Sequence, residues 1–174
     1  MTGPARAIVL IGFMGTGKSE VGRLLANALQ WKEIETDSMV EQMLGMPITE
    51  IFTRFGEERF RDTETAVLRN IPAGQPSVII TGGGAVLRPE NVARMRELGT
   101  VVCLTADGAT LERRLAERHE RPLLPTENRG ERIQTLLRER EPHYREAAEL
   151  TIDTSEHGPE EVATLILRSL AISD

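Results

Sequence analysis

Cysteine is nearly absent from this 174-residue chain: Cys103 stands alone and forms no internal disulfide. Its setting, Val101-Val102-Cys103-Leu104, reads as a buried strand and not as a reactive thiol site, and a chain of this kind is expected in the reducing cytoplasm. Aromatic residues are few as well. Phe13, Trp31, Phe52, Phe55, Phe60 and Tyr144 are scattered too widely to make a base-stacking platform. Positive charge is in deficit, with 21 Lys plus Arg against 27 Asp plus Glu and a net charge of −6, so the summed field repels nucleic acid and anionic membranes. Any anionic ligand must therefore be held by local groups. Long apolar runs are missing too: the stretch 7–11 is interrupted at once by Gly12 and Gly15, far short of a membrane span and without a signal-cleavage pattern. Neither nucleic acid nor membrane is expected as a partner. What is present, 40% hydrophobic and 28% charged residues, suits one globular domain over 1–174 with a core of its own.

Short β-branched runs alternate with longer helical patterns. The runs are 8–11, 78–80, 101–104 and 150–152, with a weaker, mostly polar strand expected at 32–35. Between them lie helical periods such as Val21, Leu24, Leu25, Ala28 and Val162, Leu165, Ile166, Leu170. This rhythm predicts an α/β fold with a buried parallel sheet and helices on both faces. Two stretches break it. Residues 37–71 read as an all-helical insertion punctuated by Gly45-Met46-Pro47 and Gly56; residues 118–131, with Arg118, His119, Glu120, Arg121, Pro122 and Pro125, read either as a solvated loop or as a mobile lid over a site.

The strongest local signal follows the first run. Gly12-Phe13-Met14-Gly15-Thr16-Gly17-Lys18-Ser19 fits the phosphate-loop pattern at every fixed position and leads into a helix. Glycines let backbone N–H groups converge on phosphate oxygens, and the helix N-terminus adds about half a positive charge. Lys18 is expected to reach the β- and γ-phosphates, and Ser19 to offer its hydroxyl to Mg²⁺, which keeps several waters and needs few protein ligands. The third run ends in Thr81-Gly82-Gly83-Gly84, either a tight turn or a set of backbone donors at the strand ends where parallel sheets bind ligands.

Glu35-Thr36-Asp37 closes the expected second strand beside the same crevice. One carboxylate suits Mg²⁺, and Asp37 suits the orientation of an attacking hydroxyl; the alternative for Thr36 or Asp37 is a helix N-cap. At 56–64, Arg61 lies four residues after Glu57 and three before Glu64, which reads either as a surface ion-pair network or as a guanidinium held rigid for an anion. Arg140, in Arg138-Glu139-Arg140-Glu141-Pro142-His143-Tyr144, poses the same choice.

The phosphate loop, the acidic pair before the insertion, Gly-Glu-x-x-Phe-Arg-x-x-Glu at 56–64, the three glycines, Arg121-Pro122-Leu123-Leu124 and Arg140-x-Pro142-x-Tyr144 occur in the order found in shikimate kinases, which the chain resembles over residues 7–160. The resemblance implies a P-loop NTPase-type three-layer sandwich with strand order 2-3-1-4-5, and transfer of the ATP γ-phosphoryl group to the 3-hydroxyl of shikimate with Mg²⁺ as cofactor. By matching position it implies Asp37, Lys18 and Arg121 as catalytic groups and Gly15, Thr16, Gly17, Lys18, Ser19, Glu20 and Arg121 around the phosphates. Arg114, His157 and Pro159 would line the adenine end; Asp37, Arg61, Gly82, Gly83, Gly84 and Arg140 would hold shikimate; Ser19 and Glu35 would hold the metal. A monomer is expected.

The chain departs from the family pattern in three places: Glu35 where Asp is usual, Glu20 where a second hydroxyl is common, and His157 where Arg is often found. The extra methylene of Glu35 moves its carboxylate by about 1.5 Å. Two rival functions stay open on the residues alone, a kinase for another small polyol acid such as gluconate or for a nucleoside monophosphate, and a nucleotide-binding regulatory module.

Overall fold

The run that the sequence marks most clearly, Ala7–Gly12, is strand β1, buried throughout because it lies at the centre of the sheet with a parallel neighbour on each side. The computed structural model describes residues 7–118, 122–124 and 127–172. Strands β2 (Lys32–Glu35), β3 (Ser77–Ile80), β4 (Gly99–Thr105) and β5 (Leu150–Asp153) complete one parallel sheet in the order β2-β3-β1-β4-β5, the order the resemblance implied. The described helices are α1 (Lys18–Leu29), α2 (Thr36–Leu44), α3 (Ile48–Asn70), α4 (Pro89–Leu98), α5 (Gly108–Ala116), α6 (Arg129–Ala147) and α7 (Pro159–Ser169).

The alternation of side chains along the strands divides the core in two. Ile8, Leu10, Val78, Ile80, Val102 and Leu104 face α1 and α7, which contribute Val21, Leu25, Val162 and Ile166. Val9, Ile11, Ile79, Val101 and Cys103 face the other layer, met by Leu68, Met95, Leu111, Leu115, Ile133 and Leu136. Burial pushes the Cys103 thiol up to about 11, in keeping with an inert side chain. Strand β2 lies at the sheet's edge, which explains its polar sequence.

The segment between β2 and β3 is helical. A small third core of Val40, Ile51, Phe60 and Val67 joins α2 to α3. Gly45 ends α2 and Gly56, at φ 79° and ψ 174°, kinks α3, so both glycines interrupt helices where the sequence suggested. In the 118–131 stretch the expected loop ends early: Arg129, Gly130 and Glu131 already form the first turn of α6, and Leu124 is buried with the core. His119, Glu120, Arg121 and Pro125 lie outside the described residues.

Candidate active site

The loop between β1 and α1 curls back on itself. Gly15 and Gly17 adopt φ of 85° and 95°, left-handed backbone that other residues rarely tolerate. Thr16 Oγ1 donates to Phe13 O at 2.8 Å, and Lys18 Nζ donates to Gly12 O at 2.7 Å and Phe13 O at 3.0 Å, so the ammonium sits inside the curl. Gly17 occupies the cap position of α1, placing the helix N-terminus at the loop.

Beside this loop, Ser19 Oγ donates to Glu35 Oε1 at 2.7 Å, while Ser38 Oγ lies 3.3 Å from Glu35 Oε2. A hydroxyl and a carboxylate, both hard oxygen donors, thus meet at the phosphate loop, and among the described residues no group of three or more His, Cys, Asp or Glu competes for a metal. That small donor set fits Mg²⁺, which retains water ligands. Thr36 already belongs to α2, and the cap position falls on Glu35, whose carboxylate serves Ser19 and Ser38. Asp37 is therefore no N-cap. It lies in the first turn of α2, where the helix dipole favours a carboxylate. The buried Thr36 hydroxyl donates to Ile80 O at 3.3 Å and ties this turn to the end of β3.

The turn at 82–84 collects the remaining charges. A Cβ on Gly82 would stand 2.8 Å from Glu64 Oε2 and 2.9 Å from Asp37 Oδ1; one on Gly83 would stand 3.2 Å from an Arg140 Nη1, and one on Gly84 only 2.3 Å from Arg61 Nη2. A side chain at Gly82 or Gly84 would force these charged groups to move, and one at Gly83 would press on Arg140 by a few tenths of an ångström. Arg61 and Arg140 are 7% and 3% exposed, so neither belongs to a solvated face. Arg61 Nη1 donates to Glu64 Oε1 at 3.0 Å and its Nη2 to the half-exposed Glu57 at 3.2 Å. Arg140 stacks over the Phe13 ring at 5.8 Å. Burial pushes the wholly buried Glu64 carboxyl up; Arg61 opposes that shift and Asp37 adds to it. Tyr144 Oη donates to Gly83 O at 2.5 Å, fixing the turn to α6.

At the opposite end, Arg114 donates to Gly15 O, Thr154 Oγ1 and Thr154 O at 3.2, 3.0 and 2.7 Å. His157 Nδ1 lies 3.0 Å from Glu161 Oε2, and Pro159 opens α7. A cavity of about 430 Å³ unites these parts. Its wall includes 14–20 of the loop and helix, Glu35, Asp37, Gly82, Gly83, Arg114, His157 and Pro159. Glu20 is exposed there, at the start of α1. Arg61, Gly84 and Arg140 are not part of that wall; the two guanidiniums adjoin it at the turn, beside Gly84 and Gly83. Arg121 lies outside the described residues.

A family model described as Shikimate kinase matches residues 14–171. The chain belongs to the shikimate kinase family. A shikimate kinase from Thermodesulfovibrio yellowstonii is 47% identical over 161 residues, 92% of each chain. A solved shikimate kinase from Acinetobacter baumannii, in complex with shikimate, is 36% identical with a TM-score of 0.91, covering 95% of this chain and 93% of that one. A gluconokinase from Sinorhizobium meliloti covers 98% of this chain and 94% of its own at 21% identity and a TM-score of 0.61, a likeness of fold alone.

Membership of the shikimate kinase family leaves three site residues that the sequence did not single out. Glu64 entered only as an ion-pair partner of Arg61; its complete burial beside Asp37 is a tertiary outcome. Tyr144 closed the Arg140 motif, but its bond to Gly83 spans 61 residues of chain. Thr154 carried no local signal.

Proposed function

We propose that this enzyme transfers the γ-phosphoryl group of ATP to the 3-hydroxyl of shikimate, giving ADP and shikimate 3-phosphate. One observation carries the reading: a phosphate loop stands at the same strand ends as a helix-turn carboxylate, Asp37, and a glycine turn backed by two buried guanidiniums, Arg61 and Arg140. The geometry suits a small acceptor with a carboxylate at one end and a hydroxyl at the other. Arg61, held by Glu64, and Arg140, held over Phe13, supply charge-assisted bonds to the carboxylate, and backbone at 82–84 meets the ring.

On the donor side the loop backbone and Lys18 hold the β- and γ-phosphates, while Arg114, His157 and Pro159 form the adenine end. The backbone of Glu20 extends the phosphate cradle from the first turn of α1. Ser19 and Glu35 would hold Mg²⁺. Bound there, the cation neutralises charge on the phosphate oxygens. Phosphoryl transfer proceeds through a loose transition state that asks for little early proton removal, so Asp37 orients the attacking hydroxyl and accepts its proton late. Arg121 would reach the phosphates from the lid, and closure of the lid over the single 1–174 domain, with its substrate-binding insertion at 37–71, would exclude water. The acting unit is taken to be one chain in the cytoplasm. The lone thiol Cys103, with no partner for an internal disulfide, supports the reducing compartment.

The test is ADP release from MgATP with shikimate, gluconate or AMP as acceptor. Rapid release with shikimate alone is expected. Turnover with another acceptor moves the assignment within kinases, and ATP binding without turnover points to a regulatory module.

A further inference from the structure

We propose that Thr154 is a positioning residue for the nucleotide half of the site, its one hydroxyl fastening the phosphate loop, the end of β4 and the Arg114 guanidinium to one another. Thr154 directly follows β5 and is 2% exposed. Its Oγ1 lies 3.1 Å from Thr16 O in the phosphate loop and 3.0 Å from Thr105 O at the end of β4. One proton serves these two carbonyls, while the same oxygen accepts from Arg114 Nη1 at 3.0 Å. The backbone completes the joint: Thr154 N donates to Thr105 O at 2.8 Å, and Thr154 O accepts from Arg114 Nη2 at 2.7 Å. Arg114 Nη1 also reaches Gly15 O at 3.2 Å, so the loop is tied at two successive residues, each through Thr154 or the group it holds.

The joint is selective by location. Thr16, Gly15 and Arg114 line the cavity at its phosphate and adenine end, whereas Arg61, Glu64 and Arg140 are held by the 82–84 turn, Phe13 and one another. Loss of the hydroxyl frees the Thr16 carbonyl, takes from Arg114 Nη1 one of its two acceptors and leaves the acceptor groups as they were. A loop set in advance needs no ordering when the nucleotide arrives, so the hydroxyl acts on ATP affinity and not on shikimate affinity.

The inference rests on the phosphate loop holding ATP, as proposed above, and the test separates the two. ATP and shikimate are titrated separately, by calorimetry, into the wild-type protein, Thr154→Ala and Thr154→Ser. Both variants lack the methyl group; only Ser keeps the hydroxyl. Thr154→Ala is expected to weaken ATP binding about tenfold and Thr154→Ser no more than about twofold, with shikimate binding unchanged in both. KM for ATP should follow the same order while kcat at saturating ATP stays within about threefold. Equal ATP affinity in all three proteins, equal weakening by Ala and Ser, or parallel weakening of both ligands overturns the proposal. If Thr154→Ala does not fold, the isosteric Thr154→Val takes its place against the wild type. A wild-type protein that binds no ATP instead overturns the functional reading itself.

Discussion

The phosphate side and the acceptor side of the cavity share the carboxyl ends of one sheet's strands, yet they are made differently. The phosphate loop is a continuous stretch whose own backbone supplies the binding groups, with Lys18 folded onto the carbonyls of Gly12 and Phe13. The acceptor side has no such continuity: Asp37 comes from α2, Arg61 and Glu64 from α3, and Arg140 from α6, all meeting at a glycine turn. A backbone cradle tolerates exchange of many side chains around it. A pocket of buried charges depends on every partner, since a charge left alone in the core costs several kcal/mol.

The largest test of this contrast is Asp37→Asn, which keeps the shape and removes the charge. It is expected to lower kcat about 10³-fold while KM for ATP changes less than about threefold; steady-state assays varying each substrate check this, and a matching loss of ATP affinity would erase the division between the sides. Next is Arg61→Ala, which strands the wholly buried Glu64. Denaturant unfolding should register a loss of about 3–5 kcal/mol near neutral pH, with shikimate binding weakened and ATP binding retained in the folded fraction. Removal of Arg61 takes away the main influence that lowers the Glu64 pKa, leaving burial to raise it further above its ordinary 4.5. Folding of the variant is thus favoured below that value and penalised as pH rises through the raised one, so its deficit should shrink in acid. The smallest effect sharpens the comparison from the other flank. Asp107 caps α5 by accepting from Thr110 N at 2.7 Å, and this bond, foremost, holds its carboxyl below the ordinary 3.8. Asp107→Ala should lower Tm by a few degrees without altering either KM. Its stabilising effect is present above 3.8 and lost as pH falls through the lower folded value, so the Tm gap should close in acid.

The same contrast explains what the sequence disclosed. Buried runs such as Ala7–Gly12 and Ser77–Ile80 announce a parallel sheet because apolar residues on both faces have few other uses. Strand β2 was weak in the pattern because an edge strand has no need to be apolar. The phosphate loop was legible because its chemistry is contiguous. Arg61 and Arg140 were visible only as a choice between surface pair and buried fork, and burial, which decides it, is a property of packed helices and not of spacing. Asp37 against an N-cap turned on a single residue of helix phase. Thr154 has partners set by tertiary structure, which no local pattern reports, and of Glu64 only the pairing with Arg61 was legible, not its burial beside Asp37. The family resemblance supplied the strand order, which periodicity does not.

The turn at 82–84 also limits the routes by which a lineage could change its acceptor. Alanine is the least intrusive replacement for glycine, yet its methyl would press on Glu64 and Asp37 at one position, on Arg140 at the next and on Arg61 at the third. Stepwise drift through the turn thus displaces a different charged group at each step, least at Gly83 and most at Gly84. A descendant enzyme with another substrate would have to exchange the charged residues first, two at a time so that no charge is stranded, and only afterwards let the turn acquire side chains.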